Sequence, residues 1–412
     1  MLRRLASLVT ASALALAGLP ATGAAAATGM CRQATGSPRC QVWTGKVAWV
    51  PDGDTLLVDV NGDGTKTPVS IRLIGVQAME QHVYSPQPAK RRGECHSLEA
   101  TARVESMVRA GRGVVRMTAI NSGSSSRNRP LRSVSVKING TWQDIGLDLV
   151  RNGYALWLPF GGEWAWDSTY ELASAYASHE GKRLFDTDSC GSGPSQAAKL
   201  TVWANSDADG DDDLNLNGEW IRIGNPTAAD VPVGGWWVRD SGLRRYTFAR
   251  GTVIPAGGAV YVHVGSGTDT VTDKYWGLTS PIFTNVDPGR HVVGDGAYLF
   301  DPQGDLRGWM MYPCRVACTS PLKGKVSLRV RYTYPERIEL VNTGAEPVDL
   351  QGHVVFGRPY LQRYLSTDIL RPGEAREVRL GPGRQFMDDA GGSVELQTAD
   401  MWTVDRVSWG TG

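Results

Sequence analysis

From residue 42 to residue 76 the chain alternates apolar and polar positions with a period of two, broken by polar turns. VWTGKVAWV (Val42–Val50) reads as a strand and PDGDT (Pro51–Thr55) as a turn. LLVDV (Leu56–Val60) is a second strand, NGDGTKT a hairpin loop, and VSIRLIGV (Val69–Val76) the returning strand. Pairing of these strands brings Asp54 and Arg72 near one another. The period then changes. In ECHSLEATARVESMVRA, Leu98, Thr101, Val104 and Val108 share one face of a helix over 94–110, and Gly111 ends it. GVVRMTAI and RSVSVKI, with the turn NGTW, make another hairpin, and DIGLDLVRNG is a short helix closed by Gly153. A third helix starts at Ser168: Ser168 and Glu171 form an S-x-x-E capping box, and Leu172, Ala175, Tyr176 and His179 line a face. Strands with helices inserted and appended predict an α+β unit over 42–190, a small barrel with helices.

GSGPSQ opens a linker over 191–197, and the helical pattern all but disappears after it. An internal repeat takes its place. WIRIGNPTAADVPVGGWWV (Trp220–Val238) lies without gaps on RIELVNTGAEPVDLQGHVV (Arg337–Val355). Ile221, Ile223, Asn225, Val231, Val233 and Gly235 meet Ile338, Leu340, Asn342, Val348, Leu350 and Gly352. IPAGGAVYVHVG then matches LRPGEAREVRLG, and DGAYLFD matches GGSVELQ. Two matching blocks in the same order point to a duplication. Each copy, over 198–320 and 325–412, reads as a β-sandwich.

A chain of 412 residues holds two to four domains at roughly 100–200 residues each. A formal net charge of +1 excludes a polybasic nucleic-acid binder, so any nucleic-acid contact must be local. MLRR, LASLVTASALALAGL and ATGAAAA follow the charged, apolar and small-residue order of a signal peptide over 1–27. The apolar run is short and Ala-rich for a membrane anchor, and no later segment is long and apolar enough to span. The chain is therefore expected to be secreted, without a membrane span, and monomeric. The six cysteines fit disulfides in an exported chain, and local spacing pairs Cys31 with Cys40, Cys95 with Cys190 and Cys314 with Cys318. A zinc site is the rival reading. The six histidines (82, 96, 179, 263, 291 and 353) are scattered and form no ligand pair with a CxxC.

Phosphodiester hydrolysis needs positive charge against the phosphate, a base for water, and donors that follow the charge in the transition state. Asp52 and Asp54 sit in an oxygen-rich turn suited to Ca²⁺. Arg72 can fork two donors to phosphate, Glu80 follows on the next loop, and Arg129 or Arg132 can reach in from the next hairpin. A solvated charged face is the alternative. DGDT, RLIGVxxxE, RPLRSV and LVRNGYA, in that order, resemble the staphylococcal-nuclease (thermonuclease-like) family over most of 42–190. The resemblance implies an OB-fold barrel with helices and Ca²⁺-dependent hydrolysis of DNA and RNA. It makes Asp54 a Ca²⁺ ligand, Arg72 a phosphate binder, Glu80 the general base and Arg129 the transition-state arginine. Asn128 replaces a glycine before Arg129 and tolerates the same left-handed geometry. Arg151 is read as structural, pinning its helix to the barrel.

The family usually reads D-T-P-E where this chain has Gln77-Ala78-Met79-Glu80. A charged Ca²⁺ ligand is missing. Gln77 can offer a carbonyl oxygen and Ala78 its backbone carbonyl, which implies a weaker metal site. A non-catalytic nucleic-acid-binding or adhesion protein on a degenerate barrel is therefore the second reading. Trp157, Phe160, Trp164 and Trp166 are candidates for base stacking, with Trp157 and Trp166 assigned to the core. His82 is read as a surface residue, and Cys95–His96 as no nucleophile pair.

The two repeats resemble lamin-tail domains, closely over 198–320 and loosely over 325–412. This implies immunoglobulin-like sandwiches that attach to a cell surface or extracellular polymer, or bind substrate. At the entry of the first of them, Asn205, Asp207, Asp209, Asp211 and Asp213 stand at EF-hand-like offsets, with Leu216 where a bidentate Glu belongs. They are read as a second Ca²⁺ site or as a solvated acidic linker.

Overall fold

The computed structural model describes residues 27–191, 199–284, 294–357, 361–381 and 385–410. The signal-peptide segment up to residue 26, His291 and the linker from 192 to 197 lie outside the described residues. The described part is mostly β, with few helices and many sheets.

The first unit is a ring of strands. β1 (Ala27–Met30) lies on the outer edge of β2 (Arg39–Asp52). β2 pairs with β3 (Thr55–Val60), which pairs with β4 (Val69–Leu73). A glycine turn then gives β5 (Val76–Ala78), and helix α1 (Ser97–Ala110) follows. β6 (Val114–Ala119) pairs with β2 and with β7 (Arg129–Ile138). β7 also runs parallel to β4, so the order β2–β3–β4–β7–β6 returns to β2 and leaves no free edge in the ring. Register shifts near Val47 and Trp49 let the long β2 bend and serve two neighbours. Alternation puts Leu56, Val58, Ile71, Val115, Met117 and Val134 inside. β8 (Thr141–Asp144), α2 (Ile145–Arg151), β9 (Ala155–Trp157) and α3 (Asp167–His179) complete the unit.

Several local expectations need correction. α1 buries Ala100, Thr101, Val104 and Met107 but leaves Leu98 exposed. α3 starts at Asp167 with no side-chain cap, and Leu172 and Tyr176 are exposed. The buried face is Tyr170, Ala173 and Ala177, and Glu171 turns away from the helix start to accept from Arg315 Nε at 2.8 Å. A distant ion pair has displaced the local capping box. Arg151 is exposed; α2 is tied instead to α1 by the two-pronged Arg103–Asp148 pair, both bonds at 2.7 Å.

The two repeats share one strand plan. In the first, Trp220–Gly224 lies between Thr201–Asn205 and Ala259–His263, and Trp237–Arg239 lies between Arg245–Thr247 and Asp295–Phe300. In the second, Arg337–Asn342 and His353–Gly357 occupy the same places in their own sheets. The aligned asparagines are buried and do the same work. Asn225 Nδ2 donates to Ala229 O at 2.8 Å and Ile254 O at 3.0 Å, while Asn342 Nδ2 donates to Glu346 O and Leu370 O, both at 2.8 Å. All six cysteines are spent in Cys31–Cys40, Cys95–Cys190 and Cys314–Cys318, which removes the zinc alternative for them.

The first repeat docks on the ring. Met79, Leu156, Leu184 and Phe185 form one buried cluster with Trp237, Tyr298, Phe300 and Leu306. Thus the segment carrying Gln77, Ala78 and Glu80 is anchored through Met79 to the neighbouring domain. The second repeat meets the first through Tyr364, whose ring lies 5.1 Å from that of Trp220. No helix among the described residues is long and apolar enough to cross a membrane.

Candidate active site

The turn after β4 assembles the site. Gly75 has φ +75°, and a Cβ there would lie 2.7 Å from the Tyr170 ring, so only glycine lets the chain double back. β5 pairs with β9, and its Ala78 N donates to Asp54 Oδ2 at 3.2 Å, which brings Gln77 against Asp54. Register places Thr55 opposite Arg72, and Asp54 Oδ2 lies 3.1 Å from Arg72 Nη2. Both side chains are about 6 % exposed.

Arg72 is held inward. Its Nη1 donates to Leu73 O at 3.0 Å and Val76 O at 2.8 Å; its Nη2 donates to Gln77 Oε1 at 2.8 Å and faces Asp54. Both terminal nitrogens are therefore occupied by protein acceptors, and a phosphate would have to compete for them. Arg72 fixes the Gln77 amide, because only the carbonyl oxygen can accept from a guanidinium. The amide nitrogen must then point the other way. It lies 3.0 Å from Glu80 Oε1, 3.0 Å from Ala78 O and 3.3 Å from Asp54 Oδ2.

That arrangement bears on the calcium expectation. A Ca²⁺ ion needs six to eight oxygens at about 2.3–2.6 Å. Here a nitrogen, not an oxygen, faces Asp54, Ala78 O and Glu80, so Gln77 is not a ligand as placed. Turning the amide would set its N–H groups against Arg72. Asp54 Oδ1 accepts from Thr55, and Asp52 Oδ1 accepts from Gly53 N at 2.6 Å. The donor set of Asp52, Asp54, Gln77 and Ala78 does not fit calcium in this arrangement.

Burial raises two of the carboxylic acids here. It pushes Asp52 up to about 7, with help from the Asp54 charge. Glu80 is raised by burial and then by Asp54, against the pull of Arg72 and the Gln77 hydrogen bond. Tyr84, half exposed and not anticipated from the sequence, is raised by burial and by the charges of Asp52, Glu80 and Asp54.

Arg129 closes the other side. Ser126 pairs with Arg129 across a two-residue turn in which Arg127 and Asn128 have φ +49° and +62°. Arg129 Nη1 donates to Thr55 Oγ1 at 3.1 Å, so the Arg72–Asp54–Thr55–Arg129 chain is continuous. Arg132 is elsewhere: its guanidinium lies 4.1 Å from the Trp43 ring centroid and donates to the carbonyls of Ser122 and Leu131. The loop before the turn is braced by buried Glu163, which accepts from Ile120 N, Asn121 N and Ser124 Oγ at 2.7, 3.0 and 2.6 Å.

A cavity of about 380 Å³ opens over Arg72, Gln77 and Arg129, with Arg127 and Phe160 on the ring side and Asp240, Leu243 and Arg244 on the first repeat. Trp157 and Trp166 are buried core, Trp164 packs on that core, and His82 is exposed. Periodicity within the ring held no signal for Arg244, which reaches the site only through domain docking.

The acidic stretch at the entry of the first repeat does not converge. Asn205 Nδ2 donates to Gly218 O and its Oδ1 accepts from Gln362; Asp211 Oδ1 accepts from Asp213 N; Asp209 faces Arg363 at 3.5 Å. Among the described residues, the cluster of His, Cys, Asp or Glu with ligand atoms within 4.8 Å is Cys95, His96 and Cys190, and its cysteines form a disulfide. Asn205, Asp207, Asp209, Asp211 and Asp213 are thus not gathered as a calcium loop, and Leu216 begins a short 3₁₀ turn.

Residues 196–313 match the family model of the lamin tail domain. No curated protein matches the chain.

Proposed function

We propose that the chain is a secreted phosphodiesterase acting on nucleic acid. The observation that carries this reading is the convergence of Glu80 and Arg129 on one network, through Gln77, Asp54 and Thr55, beside an arginine-lined cavity. The closed five-strand ring has the order expected of an OB-type barrel, a scaffold suited to oligonucleotides. It supports the resemblance to staphylococcal nuclease, and the disulfides suit an oxidising compartment.

Chemically, Glu80 is the base. Its carboxyl lies above the usual range, which brings it nearer to the proton affinity that a base needs at neutral pH. Arg129, with one weak hydroxyl partner among the described residues, can take a non-bridging phosphate oxygen as charge builds on it. Arg72 positions: it sets the Gln77 amide, and Gln77 sets Glu80 through a 3.0 Å hydrogen bond. No step is assigned to a metal. The lamin-tail domains attach the protein to a surface or extracellular polymer.

A binding-only reading draws on one observation, the inward commitment of Arg72. Digestion of DNA and RNA by the purified chain, with calcium and with chelator, tests both. Cleavage that Glu80→Gln abolishes supports the hydrolase; no cleavage under any condition, with retained oligonucleotide binding, supports the binder.

A further inference from the structure

We infer that the first lamin-tail domain forms one wall of the substrate cleft, and that Arg244 grips a phosphate of a single-stranded nucleic acid opposite Arg127 and Arg129. This rests on the nucleic-acid reading of the site but not on its being catalytic.

Neighbouring arginines in the first repeat have divided their tasks. Arg245 docks the domain: its Nη1 lies 3.1 Å from Glu94 Oε1, and its guanidinium lies 4.8 Å from the Trp237 ring centroid. Glu94 in turn accepts from Glu80 N at 3.1 Å, so the dock is keyed to the site itself. Arg244 is exposed, lines the cavity, and makes no salt bridge among the described residues. Arg127 faces it from the ring. It too is exposed and forms no salt bridge among the described residues. Its φ of +49° is a conformation that L side chains rarely adopt, and glycine would hold this turn more easily. An arginine kept there at a cost in stability, aimed into a cavity, is explained by a ligand.

The ligand's class follows from the walls. Three arginines, Arg127, Arg129 and Arg244, supply planar donors that match phosphate oxygens. Phe160, 37 % exposed at the same cavity, offers a ring face for a base. A cleft of about 380 Å³ walled by two domains takes one strand with unstacked bases; a duplex keeps its bases away from Phe160.

Fluorescence anisotropy of a labelled single-stranded oligonucleotide with the full chain, in chelator to prevent turnover, tests the inference. Arg244→Glu and Arg127→Glu should each weaken binding about tenfold and lower the salt dependence by about one counterion. Phe160→Ala should weaken binding at all salt concentrations without changing that slope. Arg329→Glu, an equal charge reversal on the second repeat, should have no effect. Unchanged affinity in Arg244→Glu overturns the inference, as does duplex binding equal to single-strand binding. A wild-type chain that binds but never cleaves would refute the hydrolase reading alone and leave the Arg244 comparison decisive.

Discussion

Gln77 Nε2 lies 3.0 Å from Glu80 Oε1, with its carbonyl oxygen committed to Arg72 at 2.8 Å. An amide N–H group thus stands among oxygens that a cation would otherwise collect. It carries no net charge, yet it satisfies Ala78 O and reaches Asp54 as well. The side chain ties three carbonyl or carboxylate groups to one arginine.

Replacing that amide by a carboxylate should reverse its character. Gln77→Asp keeps an acceptor for Arg72 but sets a negative oxygen against Asp54 and Glu80, so the site then requires a cation. The variant is expected to gain thermal stability as calcium is added, about 2.7 kcal/mol at a hundredfold excess over its Kd. The wild-type chain should gain none from this site. Melting curves with calcium and with chelator decide it: an equal calcium-dependent rise in both proteins would show that Gln77 already accommodates the ion.

Glu80 and Arg129 should differ in kind from Arg132. In single-turnover cleavage of a labelled oligonucleotide, Glu80→Gln is expected to lose about 10²–10⁴-fold as the base is removed. Arg129→Ala should lose about 10²–10³-fold through the missing transition-state donor. Arg132→Ala should melt earlier, since it loses its stack on Trp43 and its bonds to the Ser122 and Leu131 carbonyls. Its cleavage rate at saturation should stay near wild type. Full activity in both Glu80→Gln and Arg129→Ala would place the chemistry elsewhere.

What the sequence shows and hides divides along physical lines. Alternation and the NGDGTKT loop set strand register, so the nearness of Asp54 and Arg72 follows from local pattern. Short separations make Cys31–Cys40 and Cys314–Cys318 legible, and an even set of cysteines leaves Cys95 for Cys190, 95 positions away. The buried face of α3 is not: its Glu171 is claimed by Arg315, 144 positions away, and no helical period encodes that. The direction of the Gln77 amide depends on Arg72, a contact that the carboxamide's composition leaves open. Arg127 and Arg244 share a cavity that exists only once two domains have docked.

The paired asparagines offer a test of the duplication at the level of energy. Asn225 and Asn342 each satisfy the carbonyl of a buried strand residue, Ile254 or Leu370, and that of an exposed turn residue, Ala229 or Glu346. Truncation to alanine removes that bond from the buried Ile254 or Leu370 carbonyl, at about 1–3 kcal/mol for a buried group left unpaired. Asn342→Ala should lower the calorimetric transition of the second repeat, and Asn225→Ala that of the first. Equal, small effects at both positions would mean that the shared asparagine is not what holds either sandwich together.

Glu219 sets a pH dependence on the first repeat. Its side chain is buried, with Oε2 accepting from Ile282 N at 2.9 Å. Burial, and then the charge of Asp212, pushes its acid up to about 8 from an ordinary 4.5. Between those two values the unfolded chain has released the proton while the folded chain still holds it. Stability contributed by the protonated form is fully present below about pH 4.5 and is lost as the pH rises towards 8. The loss is on the order of a few kcal/mol. Glu219→Gln keeps the shape and the acceptor oxygen but cannot ionise. Its melting temperature should match wild type near pH 4.5, exceed it increasingly up to about pH 8 and level off above that. A constant difference between the two proteins across that range would show that Glu219 ionises as readily in the fold as in the open chain.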